Sequence, residues 1–178
     1  TGAGAAYSAH KLIPHAVWVP AKPLLPPEGV RVIENFEARS FKGWKRSGRA
    51  WGSRAVSRSL PRQGPVSRYG GRYYASSFHG GDAAKGTLTS PEFEITGNMI
   101  TFRLSGGRDM KRLRVELLVA GEVVRSATGM QSEQMREVIW SVAPWTGQRG
   151  QVRLVDRAGG SWGHLNVDEL WLHESTPQ

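Results

Sequence analysis

The chain has 178 residues, no cysteine and a net charge of +9. This length is enough for one domain with its own hydrophobic core. Because cysteine is absent, disulfides, thiolate metal sites and a cysteine nucleophile are excluded. No apolar run approaches the roughly 18 to 20 residues that span a bilayer, so we expect no transmembrane helix.

Residues 1–29 are predicted to form an extended arm outside the core. Five prolines between positions 14 and 27 exclude a helix and favour a polyproline-like backbone. The apolar side chains among them gain free energy when they are covered, so we expect the arm to lie on a partner or on its own domain. The candidate partner-binding residues of the arm are Leu12, Ile13, Val17, Trp18, Leu24 and Leu25.

Residues 38–81 form a basic segment, which we predict to be an irregular loop region. The segment contains ten basic residues and no acidic one, whereas the rest of the chain has 14 basic and 15 acidic residues. Such a segment attracts an anionic partner, and lipid headgroups, an acidic protein face, an acidic polysaccharide and nucleic acid all qualify. The alternative is a solvated loop that only aids solubility. Its candidate binding residues are Arg39, Lys42, Lys45, Arg46, Arg49, Arg54 and Arg58.

From residue 30 onward the pattern predicts short strands separated by glycine-rich turns. The predicted strands span 30–36, 71–78, 99–104, 113–120, 122–127, 137–142, 151–156 and 165–172. Ala120 and Gly121 separate two apolar runs and indicate a β-hairpin. Helical spacing is found only in 132–135. About eight strands at this spacing predict an all-β, two-sheet sandwich or jelly roll.

Four motifs occur in order along the chain: GDAAKGTLTSPEFEI, ITFRLSGG, RVELLVAGEVVRSATG and VRLVDRAGGSWGHLNVDEL. Together with an earlier FE and the pair Gly43 and Trp44, they resemble the galactose-binding-like β-sandwich module. That module is found beside the catalytic domains of bacterial glycoside hydrolase family 32 enzymes and in other secreted bacterial proteins. The resemblance covers about residues 32–172. The expected organisation is an arm at 1–29, a jelly-roll sandwich at 30–174 and a tail at 175–178.

The resemblance also implies a structural calcium ion between the first and last strands, with Glu37, Asp168 and Glu169 as candidate ligands. Calcium takes six to eight oxygens, so backbone carbonyls would have to supply the others. The alternative is that Asp168 and Glu169 only brace a strand end. No other cofactor is expected.

Trp162 and His164 are the candidate ligand-binding residues, because they precede a predicted strand in a glycine-rich turn. The alternative for His164 is a hydrogen-bonded structural histidine. The sequence contains none of the common catalytic signatures for hydrolases, metalloproteases or nucleotide-binding enzymes, so we expect no enzyme activity. Aromatic residues alternate with basic ones in the basic segment, but the fold is not a nucleic-acid module, so nucleic acid is not the expected partner.

Two functions follow from these observations. The first is a structural or accessory subunit that docks on a larger, membrane-bound assembly through its arm and basic segment, with protein subunits and an anionic membrane surface as partners. The second is a carbohydrate-binding module of a secreted bacterial glycan-processing system. The chain begins at Thr1 without methionine, which fits removal of a signal peptide and also fits trimming of an initiator methionine before a small residue. We expect a peripheral protein outside the cytoplasm, in the periplasm or secreted, with the cytoplasm as the alternative.

Overall fold

The computed structural model describes residues 26–174. All six candidate partner-binding residues of the arm lie outside the described residues, as does the tail at 175–178. Within 26–174, no helix is long and apolar enough to span a membrane.

The described chain is all-β. Its eleven strands are β1 (Val30–Glu34), β2 (Lys45–Gly48), β3 (Ala75–Ser76), β4 (Gly86–Thr89), β5 (Phe93–Glu94), β6 (Gly97–Gly106), β7 (Leu113–Val119), β8 (Glu122–Ala127), β9 (Ser132–Ser141), β10 (Arg149–Asp156) and β11 (Leu165–Glu174). The only helical element among residues 26–174 is a single 3₁₀ turn, Ala143–Trp145.

The strands form two sheets that pack face to face. One sheet has the order β1-β11-β6-β9, with β3 beside the first half of β11. The other has the order β2-β4-β10-β7-β8, with β5 beside the start of β10. All strand pairs in both sheets are antiparallel. The two-sheet sandwich predicted from the sequence is confirmed.

The hairpin between β7 and β8 matches its prediction. Val119 pairs with Glu122, so Ala120 and Gly121 form a two-residue turn. Both have positive φ, 51° and 77°, as a type I′ turn requires. In β7, Val115 and Leu117 face the core, while Glu116 points to the opposite face. The period-2 pattern therefore assigned the inward face of this strand.

Some predicted elements were wrong. Residues 132–135 are not helical, because β9 begins at Ser132 and pairs with β6 along its length. Residues 71–78 contain only the two-residue strand β3. The sequence did not predict β2, β4 and β5, since strands of two to four residues are too short to show a period.

A bulge in β11 places polar groups inside the domain. The pairing of β11 with β6 shifts register between Asp168 and Trp171, and Glu169 has a φ of 50°. Inward-facing positions therefore change from Leu165 and Val167 to Leu170 and Leu172, all fully buried. As a result, both Asp168 and Glu169 are buried.

The basic segment contains little regular structure, and it is anchored in the core. Trp51 is fully buried, and its indole Nε1 donates a 3.1 Å hydrogen bond to the carbonyl oxygen of Gly86 in β4. Tyr74 and Ala55 are buried too. The segment also contributes the exposed edge strand β2, which pairs with β4. Its arginines are therefore held on a fixed backbone.

Candidate functional site

A cleft of about 240 Å³ opens where β11 and β9 begin and β6 ends. It is lined by Arg62, Gln63, Gly64, Phe78, Asp82, Glu133, Ser161, Trp162 and His164. The structure therefore brings the two sequence-predicted ligand-binding residues, Trp162 and His164, into one concave site. Aromatic and charged side chains from four separate chain segments meet there.

His164 lies at the centre of the cleft, between two carboxylates. Its Nδ1 is 2.6 Å from Oδ1 of Asp82, and its Nε2 is 2.6 Å from Oε1 of Glu133. Burial alone would lower the pKa of His164, but the hydrogen bonds to Glu133 and Asp82 outweigh burial and raise it. The protonated imidazole donates from both nitrogens, so this histidine connects the loop that contains Asp82 to the start of β9.

The carboxylate of Glu133 is fixed by a second set of polar groups. Its Oε2 accepts a 2.8 Å hydrogen bond from Nδ2 of Asn166, and Nδ2 also donates to the hydroxyl of Ser105 at 3.0 Å. Nε2 of Gln63 donates to Oδ1 of Asn166 at 2.9 Å. Because these groups satisfy one another, the polar floor of the cleft is rigid.

The loop before β11 reaches the cleft through a close backbone contact. A Cβ atom on Gly163 would lie 2.4 Å from the carbonyl oxygen of Asp82, so only glycine allows the two loops to approach this closely. The contact places Asp82 beside His164. The side chain of Asp82 remains 33% exposed, so one part of this carboxylate faces solvent at the cleft.

Trp162 is half-buried and stacks on the imidazole of His164, with ring centroids 5.8 Å apart and planes 18° apart. Phe78 contacts the same imidazole edge-on at 4.9 Å. Trp162 has a φ of 61°, a left-handed conformation that costs a bulky residue about 1–2 kcal/mol. A hydrogen bond from the His164 amide to the Trp162 carbonyl oxygen, 2.9 Å long, stabilises the turn. The strained turn directs an aromatic face into the cleft.

Asp156, at the end of β10, is fully buried near this network. Its Oδ1 accepts a 3.1 Å hydrogen bond from the amide of Ala158, whereas its Oδ2 has no partner. Burial raises the pKa of Asp156 to about 7. A protonated carboxyl group therefore suits this position better than a carboxylate does.

The three candidate calcium ligands lie near one another in space, but their carboxylate oxygens accept hydrogen bonds from protein groups. Oε1 of Glu37 accepts from the amides of Arg72 and Tyr73, both at 2.9 Å. Asp168 accepts from the amides of Gly70 at 2.7 Å and Glu169 at 2.8 Å.

Glu169, the third candidate ligand, forms a 2.9 Å ion pair with Arg103. No group of three or more acidic or histidine side chains suited to a metal ion occurs within 26–174. In this arrangement Asp168 and Glu169 brace the bulge within β11, and Glu37 holds the backbone of residues 72 and 73. A bound calcium ion therefore stays a prediction, and no function below depends on it.

The candidate residues of the basic segment divide into two groups. Arg39, Arg54 and Arg58 line a second, larger groove of about 720 Å³. Lys42, Lys45, Arg46 and Arg49 are exposed around the edge strand β2, and Arg46 donates to the carbonyl oxygen of Gly52. The structure therefore places three of the seven in one concave surface.

Sequence reasoning missed Asp82, Glu133 and Gln63 as site residues. Asp82 had a signal, because it follows Gly81 in a turn of the recognised motif GDAAKGTL. Glu133 and Gln63 had no such signal, since the residues that they contact, His164 and Asn166, are distant from them in the sequence. Glu133 reaches the cleft when β9 pairs with β6, and Gln63 joins it when the turn at residues 60–63 packs against Glu133.

Comparison with known proteins gives one match by sequence and several by fold. The sequence matches no protein-family model. It is 32% identical over 147 residues, 81% of this chain, to a protein of Aspergillus rugulosus described as "Putative glycosyl hydrolase ecdE". The chain spans about a fifth, 21%, of the length of that relative.

Solved structures with the same fold include carbohydrate-binding and adhesin domains. TmCBM61 in complex with β-1,4-galactotriose has a TM-score of 0.52 at 17% identity, covering 81% of this chain and 99% of that one. The K2 cleaved adhesin domain of Lys-gingipain has a TM-score of 0.53 at 12% identity, covering 80% of this chain and 98% of the adhesin domain. The K1 adhesin domain of Lys-gingipain from Porphyromonas gingivalis W83 has a TM-score of 0.52 at 13% identity, covering 83% and 99%. The chain therefore has the galactose-binding-like β-sandwich fold expected from its sequence motifs.

Proposed function

We propose that this chain is a non-catalytic carbohydrate-binding module and that the cleft around Trp162 binds the sugar. The observation that most supports this proposal is the half-buried Trp162 ring, held in a strained turn at a cleft lined by Asp82, Glu133 and Arg62. An aromatic face packs on the C–H face of a pyranose, and carboxylate and guanidinium groups hydrogen-bond its hydroxyls.

The chemistry of the cleft supports binding better than it supports catalysis. A general acid or base must have a proton or lone pair free to exchange with substrate. Both nitrogens of His164 are engaged by carboxylates, and the imidazole is 5% exposed. Glu133 is held by Asn166 as well. The cleft residues therefore fix one another's positions, as a recognition site requires.

The comparisons support the same proposal from outside the site. The relative in Aspergillus rugulosus is described as a glycosyl hydrolase, and one structure of the same fold was solved with a galactotriose. We infer that this domain attaches to polysaccharide, and that it acts outside the cytoplasm because polymeric glycans of this kind are found there.

Affinity electrophoresis against a panel of soluble polysaccharides tests the proposal. The intact chain should be retarded by at least one polysaccharide, and the Trp162→Ala variant should lose about tenfold or more in affinity, as expected for an aromatic anchor. Trp145→Ala is the matched control, because Trp145 is also half-buried but lies at the other end of the sandwich, against Arg125. Equal retardation of Trp162→Ala and the intact chain would contradict the proposal.

The docking role predicted for the arm is a separate hypothesis. Its six candidate binding residues lie outside the described ones, so it depends on the sequence alone. Deletion of residues 1–25 distinguishes the two functions: a docking arm is required for co-purification with other subunits, whereas the cleft keeps its sugar affinity without the arm. Retention of a stable complex by the shortened chain would contradict docking through the arm.

A further inference from the structure

The groove beside the sugar cleft contains basic side chains that have no part in the proposed sugar binding by the cleft. It is lined by Arg39, Arg54, Arg58 and His79, by three serines at 53, 57 and 59, and by Ala55, Val56, Leu60 and Pro61. The three arginines are exposed. Among the ion pairs of residues 26–174, none involves these three side chains. Three cations thus line one concave surface without a carboxylate.

The groove is held in shape by the core beneath it. Ala55 is buried, and its amide donates a 2.8 Å hydrogen bond to the carbonyl oxygen of Arg39. Val56 exchanges two hydrogen bonds, of 2.9 and 3.0 Å, with the buried Tyr74. The guanidinium of Arg39 lies over the ring of Tyr73, 5.0 Å from its centroid. The backbone that carries the three arginines is therefore fixed by the fold, and the guanidinium of Arg39 is held by Tyr73.

The groove and the cleft lie on either side of one turn. Leu60 and Pro61 line the groove, whereas Arg62 and Gln63 line the cleft. Two 3.0 Å hydrogen bonds between Leu60 and Gln63 close this turn. The adjacent residues Phe78 and His79 likewise face the cleft and the groove, respectively. A polymer bound in the cleft can therefore continue across the turn into the groove.

We propose that the groove binds carboxylate groups of the same polysaccharide, so that the ligand of this domain is an acidic, uronate-bearing glycan. This inference rests on the proposed function, because it extends the ligand from the cleft. A planar guanidinium accepts a carboxylate through two parallel hydrogen bonds, and serine hydroxyls pair with sugar hydroxyls.

Other anionic partners fit the groove less well. Single-stranded nucleic acid binds on aromatic side chains that stack its bases, and no tryptophan, tyrosine or phenylalanine lines the groove. A membrane surface is flat and favours apolar side chains that enter it, whereas this groove is concave and lined by serine and arginine.

A matched pair of ligands tests the inference: neutral β-1,4-galactan and the same galactan oxidised at C6 to the carboxylate. The oxidised polymer keeps the same backbone and linkage and carries a C6 carboxylate in place of the primary hydroxyl. In isothermal titration at low salt it should bind about tenfold more tightly than the neutral polymer. This advantage should disappear at about 1 M salt, where the Debye length is about 3 Å.

Paired variants locate the effect. Arg54→Gln with Arg58→Gln should remove the advantage of the oxidised polymer and leave the affinity for neutral galactan within about twofold. Arg31→Gln with Arg149→Gln removes the same charge from a half-buried and an exposed arginine outside the groove, whose partners are Glu174 and Glu92. This control variant should still bind the oxidised polymer more tightly than the neutral one.

Each outcome supports or overturns one claim. Equal affinity for the two polymers, binding of neither, or equal losses in both arginine pairs would overturn the inference. Single-stranded DNA bound as tightly as the oxidised polymer would also overturn it, because the groove would then be a general polyanion surface. Trp162→Ala should weaken both polymers. If it weakens neither, the proposed function fails, whereas an advantage that survives in the Arg54 and Arg58 variants overturns the inference alone.

Discussion

The cleft and the groove are neighbours, yet they handle charge in opposite ways. In the cleft, His164 is buried between Asp82 and Glu133, and each charge has a partner 2.6 Å away. In the groove, Arg39, Arg54 and Arg58 are exposed and line the surface without a carboxylate. Paired buried charges contribute to the fold, whereas exposed like charges repel one another and are available to a ligand. The comparison teaches that charge count alone does not locate a binding surface.

The comparison predicts a large stability difference between variants of the two surfaces. Glu133→Ala removes one of the two carboxylate partners of the buried His164 imidazole and one acceptor of the Asn166 amide, which should cost about 2–4 kcal/mol in the free energy of unfolding. Arg58→Ala should change it by less than about 0.5 kcal/mol, because this side chain is exposed. Urea unfolding measures both. Similar losses of stability in the two variants would show that the cleft charges do not stabilise the fold more than the groove charges do.

The buried acids and His164 predict that stability falls as pH rises. The pKa of Asp156 is raised to about 7 by burial, and burial also raises that of Asp168. The folded chain therefore binds more protons than the unfolded chain between about pH 4 and pH 7, so stability is lost as pH rises through this range. The raised pKa of His164 extends the loss above pH 6.5.

Thermal unfolding at pH 5 and pH 8 measures this dependence. The lowered pKa of His79, caused by burial and by the Arg46 cation, opposes the trend below about pH 6.5. We expect a higher melting temperature at pH 5, and a smaller difference in the Asp156→Asn variant, whose amide needs no proton. An unchanged pH dependence in that variant would show that Asp156 is ionised in the folded chain.

The turn at Trp162 should contribute little to the stability of the domain. Trp162→Gly removes a half-buried ring but also relieves the left-handed backbone at a φ of 61°. These terms offset each other, so the free energy of unfolding should change by less than about 1 kcal/mol while sugar affinity is lost. Phe78→Ala serves as the contrast, because Phe78 is 8% exposed and its truncation should destabilise the domain by about 2–4 kcal/mol. Equal destabilisation by both variants would make Trp162 a packing residue.

The fold could be predicted wherever a local pattern determines it. The alternation of Val115 and Leu117, and the Ala120 and Gly121 turn, specify β7, β8 and the hairpin between them. The two-residue strands β3 and β5 have no period of their own and exist through pairing with β11 and β10, so the sequence extended β3 over residues 71–78 and missed β5. The helical spacing of residues 132–135 was overridden by pairing with β6.

The site could be predicted only in part. Trp162 and His164 are adjacent to glycine in a turn before a strand, a local signal that sequence shows. Their partners come from elsewhere: Asp82 is 82 positions from His164, and Glu133 is 31 positions away. The same holds for the groove, since charge density marks the whole basic segment but only folding brings Arg39 to the arginines at 54 and 58.

The central claim is that the Trp162 ring contacts a sugar, and indole N–H resonances report this contact directly. The chain has seven tryptophans, so a ¹⁵N-labelled sample gives seven such signals at most, and Trp162→Gly identifies one of them. Titration with a soluble β-1,4-galacto-oligosaccharide that the intact chain binds should shift the Trp162 signal and leave those of the buried Trp51 and the distant Trp145 in place. Binding that shifts another tryptophan and not Trp162 would contradict the account.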